Sequence, residues 1–242
     1  MFMNPILITG GAKRLGAAMA RALVAAGYPV IIHANGSGPE AQALAAELGA
    51  RVVLGDLSDP EVPARLVAEA GPLGGLINNA SRFVFDTVGS TSAAQVAAHM
   101  GPNLIAPVLL AQAFAAQRPQ GGVIINMLDQ KLTNLNPDFF SYTLSKAALA
   151  AATEMMALSL APEIRVCGIS PGLTLPGPKQ SAEKFARAWR ENPLRRGATP
   201  EDIARAALFI LQTPSLTGTV LTVDGGEHLT HRPRDIAFLA LE

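Results

Sequence analysis

Short, continuously apolar runs alternate with alanine-rich stretches along this 242-residue chain, and that alternation limits its fold more than any other feature. The runs are residues 5–9, 29–34, 51–56, 75–80, 122–128, 165–170 and 219–225. They are too short for helices and lack the polar–apolar alternation of a half-exposed strand. Such runs suit strands buried on both faces. Between them, helices are expected over 14–26, 39–48, 60–70, 91–117, 140–161 and 200–212, with the fourth interrupted near Gly101-Pro102. Strand–helix alternation of this kind predicts an α/β architecture, a doubly wound and mostly parallel seven-stranded sheet with helices on both faces. No internal repeat or compositional break divides residues 1–242, so a single domain is expected.

Bulk properties remove several classes of function. Nearly half the residues (49%) are hydrophobic but only 5% are aromatic, which fits short buried strands under tightly packed helices. The 19 basic and 19 acidic side chains cancel, so nothing favours broad binding to nucleic acid or to an anionic membrane. The lone cysteine, Cys167, excludes an internal disulfide and offers no metal cluster. It reads as a small buried hydrophobe. No apolar run reaches membrane-spanning length, and the N-terminal segment enters a strand without a basic export signal. A cytoplasmic location is expected. Two segments resist the pattern: 173–198, rich in proline and glycine, and the tail after Gly226. The first follows a strand end, at the edge where open α/β sheets bind ligands. It is a candidate substrate lid, with a plain surface loop as the alternative. In the tail, His228, His231, Arg232 and Arg234 are either solvated charges or groups reaching a neighbouring subunit's site.

The first strand runs into TGGAKRLG (9–16), and a helix follows at once. Glycines allow a tight turn and close approach of backbone to a pyrophosphate, while the helix N-terminus offers free N–H groups. Packing alone also produces such turns, but placement in the first strand–helix unit favours dinucleotide binding. Further along stand NNA at 78–80, Asn103, Tyr142 and Lys146 four apart, Pro171-Gly172, and VDGG at 223–226. In this order and spacing the chain resembles the short-chain dehydrogenase/reductases over essentially its whole length. That resemblance implies a Rossmann fold and, from relatives, a homotetramer. One departure is Arg14, which replaces the usual middle glycine of the turn. TGGAKRLG, NNAS and an aspartate before the tyrosine are together most similar to the pteridine reductases.

The resemblance places the dinucleotide against Gly10, Leu15, Gly16, Asn79, Ala80, Ser81, Pro171 and Gly172, with Lys146 on the nicotinamide ribose. Asp56 and Leu57 match the family's adenine contact, with a helix N-cap role for Asp56 or Ser58 as the competing reading. The second strand ends without the carboxylate that would hold a ribose 2′-hydroxyl, and Lys13 and Arg14 lie in the turn. With His33, Asn35 and Ser37 as added donors, this charge pattern points to NADPH. The competing reading leaves Lys13 and Arg14 solvated and His33 satisfied at its strand end.

Tyr142 and Lys146 are spaced to share one helix face, with Cβ atoms roughly 5–6 Å apart. An ammonium near a phenol favours the phenolate and should draw the tyrosine pKa down from about 10. The pair is then a general acid for a carbonyl or imine that receives hydride. Asn103 matches the family position that continues the proton relay through water, with a helix-bend residue as its alternative. Asp129 stands thirteen positions before Tyr142, where most relatives carry serine. Thr133 is the nearest hydroxyl that could substitute, since Ser141 and Ser145 lie too close to Tyr142. An ionised carboxylate would repel a developing oxyanion, but it can accept from ring N–H groups, or donate to a ring nitrogen if desolvation keeps it protonated. The alternative is a loop aspartate turned to solvent. Phe83 matches the phenylalanine that stacks a pterin against nicotinamide, although a core or interface role competes; Ser81 is read as reaching pterin or phosphate oxygens. Arg82 matches no family role.

The expected activity is NADPH-dependent reduction of a C=N bond in a pterin-type substrate, with Phe83, Asp129 and Tyr142 against the substrate. Two other readings remain open: a reductase of ketones or 3-oxoacyl thioesters, and a relative that binds nucleotide without turnover.

Overall fold

The computed structural model describes residues 4–177 and 180–238. The expectations for the first three residues, for 178–179 of the candidate lid and for 239–242 of the tail lie outside the described residues. The strands are β1 (Ile6–Ile8), β2 (Val30–Ala34), β3 (Arg51–Leu54), β4 (Gly75–Asn78), β5 (Gly122–Met127), β6 (Ile164–Pro171) and β7 (Val220–Val223). They form one sheet in the order β3-β2-β1-β4-β5-β6-β7, and every neighbouring pair is parallel. The expected "mostly parallel" sheet is therefore entirely parallel. The order reverses between β1 and β4, which opens a crevice at the C-terminal edge, the ordinary ligand position of such sheets.

The helices are α1 (Arg14–Ala25), α2 (Gly38–Leu48), α3 (Val62–Ala70), α4 (Ala93–Met100), α5 (Ala106–Ala116), α6 (Phe140–Leu160), α7 (Ala182–Ala188) and α8 (Pro200–Gln212). Period-2 geometry sends alternate strand residues to opposite faces. Ile6 and Ile8 of β1 pack with Met19 of α1 and Ile203 of α8, whereas Leu7 packs with Leu66 of α3 and Leu110 and Phe114 of α5. Two cores thus sandwich the sheet, and β1, β2, β4 and β5 are buried throughout. This is a Rossmann-type α/β fold.

Several strands stop short of the sequence expectation. Thr9, Gly55-Asp56, Asn79-Ala80, Leu128 and Asp224-Gly225 all lie beyond the last paired residue, in turns at the edge where the crevice opens. The helix expected over 91–117 is broken by a π-helical turn, Gly101–Ile105. Pro102 and Pro107 both lack an N–H, and a widened turn accommodates the missing bonds. Segment 173–198 is more than a plain loop, because α7 lies within it and the Trp189 indole N–H donates to the Ala198 carbonyl at 3.0 Å.

Candidate active site

The crevice is a cleft of about 930 Å³ that runs from the glycine turn past β4 and β5 to the tail. At one end the chain turns through Gly10 at φ 59° and Arg14 at φ 52°, both left-handed. A Cβ on Gly16 would lie 2.3 Å from the Gly10 carbonyl oxygen, so only glycine lets α1 start this close to the turn. The turn is clamped from β4. Asn79 donates through Nδ2 to the carbonyls of Thr9 (2.9 Å) and Gly10 (3.1 Å), while the Asn79 and Ala80 N–H groups donate to the Thr9 hydroxyl.

His33 departs from expectation. Its Nδ1 accepts from the Gly10 N–H at 3.2 Å, and that fixes Nε2 as the donor to the Gly55 carbonyl at 3.0 Å. Burial lowers its pKa and keeps it neutral. With both nitrogens committed to backbone, the ring braces the turn and has no free donor for a phosphate. Lys13 and Arg14 are also engaged. Lys13 pairs with Glu40 at 2.6 Å, both half-exposed, and Arg14 donates to the Pro176 carbonyl at 3.1 Å. Glu40 is the first carboxylate after β2, and its ion pair draws on the charge expected for an extra phosphate. Asn35 and Ser37 line the cleft as expected. Asp56 caps locally, accepting from the Ser58 N–H and hydroxyl at 2.9 and 2.8 Å, while Leu57 beside it is buried and also lines the cleft. Pro171 ends β6, and Gly172 packs against the Asp224 turn, where a Cβ would come within 2.6 Å of the Asp224 Cβ.

At the far end, α6 brings Tyr142 and Lys146 to the end of β5. The Tyr142 hydroxyl donates to Asp129 Oδ2 at 2.8 Å, and Asp129 Oδ1 accepts from the Lys131 N–H at 2.9 Å. Asp129 is therefore turned into the cleft and not out to solvent. Lys146 donates to the Met127 carbonyl at 2.7 Å and lies 5.9 Å from the Tyr142 ring centre. The expected lowering of the tyrosine pKa is reversed. Burial and the adjoining Asp129 carboxylate push Tyr142 well above its ordinary value. Burial also raises Asp129 and lowers Lys146 to about 8. A carboxylate in direct contact outweighs an ammonium that is bonded elsewhere.

Asn103, in the π-helical turn, is fully buried. Its Oδ1 accepts from the Arg82 N–H at 2.8 Å and the Ser81 hydroxyl at 3.2 Å, and its Nδ2 donates to the Arg82 carbonyl and the Ser145 hydroxyl at 3.0 Å each. Among the described residues its side chain makes no bond to Lys146. The side chain holds the 81–82 strap.

Phe83 stacks on Phe139 with ring centres 4.2 Å apart at 16°, and meets Tyr142 edge-on at 4.6 Å. It remains 55% exposed, which leaves ring surface for a flat ligand. Phe139, at φ 53°, adopts a backbone conformation costly for a bulky residue and common at functional sites. Phe85 and Phe238 extend the cluster. Behind it a buried chain fixes the start of α6. The Val84 N–H donates to His99 Nε2 at 3.2 Å, so His99 Nδ1–H donates to Ser141 Oγ at 2.7 Å, and the Ser141 hydroxyl donates to Asp86.

The tail is also unlike its expected solvated state. Arg234 forms a forked pair with Asp138, and Lys131 donates to the Asp138 carbonyl at 2.7 Å and to Asp235 at 3.1 Å. These bonds fold Asp235 and Ile236 onto the cleft of their own chain. Sequence reading missed Phe139, Lys131, Asp235 and Glu227. Phe139 alone had a local signal, three residues before Tyr142; the Lys131–Asp235 pair spans 104 positions.

A glycine-turn crevice on this sheet order, with a tyrosine and lysine on one helix at its mouth, defines a class of oxidoreductase: the chain belongs to the short-chain dehydrogenase/reductase family. A family model described as enoyl-(acyl carrier protein) reductase matches residues 10–228. The chain is 34% identical to pteridine reductase 1 of Leishmania tarentolae, across 93% of this chain and 96% of that protein. It is 30% identical to dihydromonapterin reductase of an Enterobacter species, across 93% and 97%. Among solved structures, FolM alternative dihydrofolate reductase 1 of Brucella canis, complexed with NADP, superposes with a TM-score of 0.88 at 39% identity, covering 94% of this chain and 95% of that one.

Proposed function

We propose that the protein is an NADPH-dependent reductase of a C=N bond in a pterin-type substrate. The observation that carries this reading is the carboxyl of Asp129, turned into the cleft and hydrogen-bonded to the Tyr142 hydroxyl. A carboxyl there opposes the oxyanion that a ketone would develop, yet suits a nitrogen ring with N–H donors and a basic imine. The pteridine and dihydromonapterin reductases among its relatives, and the NADP complex of its structural neighbour, point the same way.

The turn fits a dinucleotide, since Gly10, Lys13, Arg14 and Leu15 line the cleft where α1 starts, and a helix N-terminus offers free N–H groups to a pyrophosphate. NADPH, when bound, supplies the hydride for the ring carbon. Gly10, Leu15, Gly16, Asn79, Ala80, Ser81, Pro171 and Gly172 would hold it, with Lys146 at the ribose and Asn35, Ser37, Asp56 and Leu57 at the adenosine end. Lys13 and Arg14 would meet the 2′-phosphate once released from Glu40 and Pro176. Tyr142, kept protonated by burial and by Asp129, delivers the proton to the ring nitrogen. Asp129 orients that nitrogen and, with its raised pKa, can restore the phenol's proton. Phe83 offers its ring face to the heterocycle, and segment 173–198 closes over it as a lid.

NADPH oxidation with a 7,8-dihydropterin and with an acetoacetyl thioester tests the reading. Turnover of the dihydropterin is expected; turnover of the thioester alone would establish the second reading. Cofactor binding with no turnover of either would leave a nucleotide-binding relative. Gly16→Ala should weaken NADPH binding by at least about tenfold, read by fluorescence titration, because its Cβ meets backbone that cannot yield. Glu40→Gln frees Lys13 and should lower Kd for NADPH by about two- to fivefold while leaving Kd for NADH unchanged; the exposed pair is worth little by itself. Equal effects on the two cofactors would mean that Lys13 does not face the 2′-phosphate. A homotetramer in the cytoplasm is part of this proposal. The exposed Met155 (68%) and Leu158 (77%) on α6 support a subunit contact, with light scattering as its test.

A further inference from the structure

We propose that Glu227 is a substrate-contacting, specificity-determining residue, whose free carboxyl oxygen accepts a hydrogen bond from the amino-bearing edge of the substrate ring. The inference rests on the pterin reading above and assigns a recognition element within it. Glu227 opens the short 3-10 turn Glu227–Leu229, directly after the Asp224-Gly225-Gly226 turn, and is nearly buried at 7% exposure. It lines the same cleft as Asp129, Tyr142 and Phe83. Its two oxygens are used differently. Oε2 accepts from the Leu173 N–H at 3.1 Å and is pressed against Gly172, where a Cβ would lie 2.8 Å away. Oε1 has no donor among the described residues and is not sealed from the cleft.

Ionising a nearly buried carboxyl is costly, and its surroundings raise the cost. Asp129 and Asp224 repel its charge, and Arg232, the cation that favours it, directs its guanidinium to the Glu191 carbonyl. Burial and Asp129 push its pKa up to about 7. Lys131, the nearby ammonium, is already held by the Asp138 carbonyl and Asp235. The cleft therefore presents Asp129 beside the proton donor and Glu227 with an open acceptor, while its Asp235 is already paired with Lys131. That pattern selects a ring with N–H donors, as in a 2-amino-pyrimidinone, over one bearing only carbonyl oxygens. A ligand amino group supplies the donor that Oε1 lacks.

Glu227→Gln separates contact from anchoring. Its amide oxygen can still accept from the Leu173 N–H, while its NH2 replaces the open acceptor with a donor. Wild type and variant are assayed with NADPH on a 7,8-dihydropterin and on the corresponding dihydrolumazine, in which an oxygen replaces the 2-amino group. The expected result is that the ratio of KM for the dihydropterin to KM for the dihydrolumazine rises roughly tenfold or more in the variant, the scale of one charged hydrogen bond. An equal change for both substrates, or no change, would overturn the proposal and leave Glu227 as an anchor for residue 173. Should the wild type reduce neither ring, the pterin reading fails and this inference with it. Wild-type turnover of the dihydropterin with an unmoved ratio in the variant removes only the role of Glu227.

Discussion

Replacing Tyr142 with phenylalanine is expected to lower kcat for dihydropterin reduction by about 10²–10⁴-fold, the usual contribution of a positioned general acid. Binding should change little, because the substitution preserves the ring that meets Phe83 edge-on at 4.6 Å and removes only the hydroxyl. That hydroxyl has a single described partner, Asp129 Oδ2 at 2.8 Å. The raised tyrosine pKa adds a pH signature. A phenol held above its ordinary value stays protonated through neutral and mildly alkaline pH, so the wild type should show no loss of rate there from tyrosine ionisation. Single-turnover measurement with saturating NADPH checks the chemical step. A variant that keeps a tenth or more of the wild-type rate would remove Tyr142 from proton transfer.

Asp129→Ser is expected to lower kcat/KM for the dihydropterin by about 10²-fold, from a lost charged hydrogen bond together with a lost proton store. Acetoacetyl thioester reduction should hold or rise, because the repulsion against an oxyanion has gone. The sign of the pH effect follows from burial, which raises the Asp129 pKa above its unfolded value. Its ionised form therefore costs stability, a cost absent at low pH and present once pH rises through the folded pKa. The serine variant avoids that cost, so its melting temperature at pH 8 should not fall below that of the wild type, and lost activity cannot then be ascribed to unfolding. Full dihydropterin activity in the variant would show that the carboxyl does not contribute to substrate choice.

Tyr142 and its neighbours show how far local pattern reaches. That Tyr142 and Lys146 would share a helix face was legible from a spacing of four residues, because helical periodicity is a short-range property. Their mutual electrostatics were not. The ammonium was expected to lower the phenol's pKa, but Lys146 is turned to the Met127 carbonyl and Asp129 takes the phenol. His33 illustrates the same limit. A histidine at a strand end reads as a spare donor, yet its two ring nitrogens meet Gly10 and Gly55, which lie 23 and 22 positions away. Asn103 likewise gives no local sign of the strap it holds 21 positions away.

From sequence alone came the sheet, its mostly parallel sense, the glycine turn and the placing of Asp129 and Tyr142 near the end of β5, since buried strand runs, glycine requirements and helical spacing are all written in neighbouring residues. The tertiary structure alone determined which charges are free. It folded the tail back through Arg234–Asp138 and Lys131–Asp235, paired Lys13 with Glu40, and left one oxygen of Glu227 open to the cleft. The physical reason is range. A pKa or a vacant acceptor depends on every group within a few ångströms and on the water excluded around it, and the fold draws those neighbours from positions a hundred residues apart.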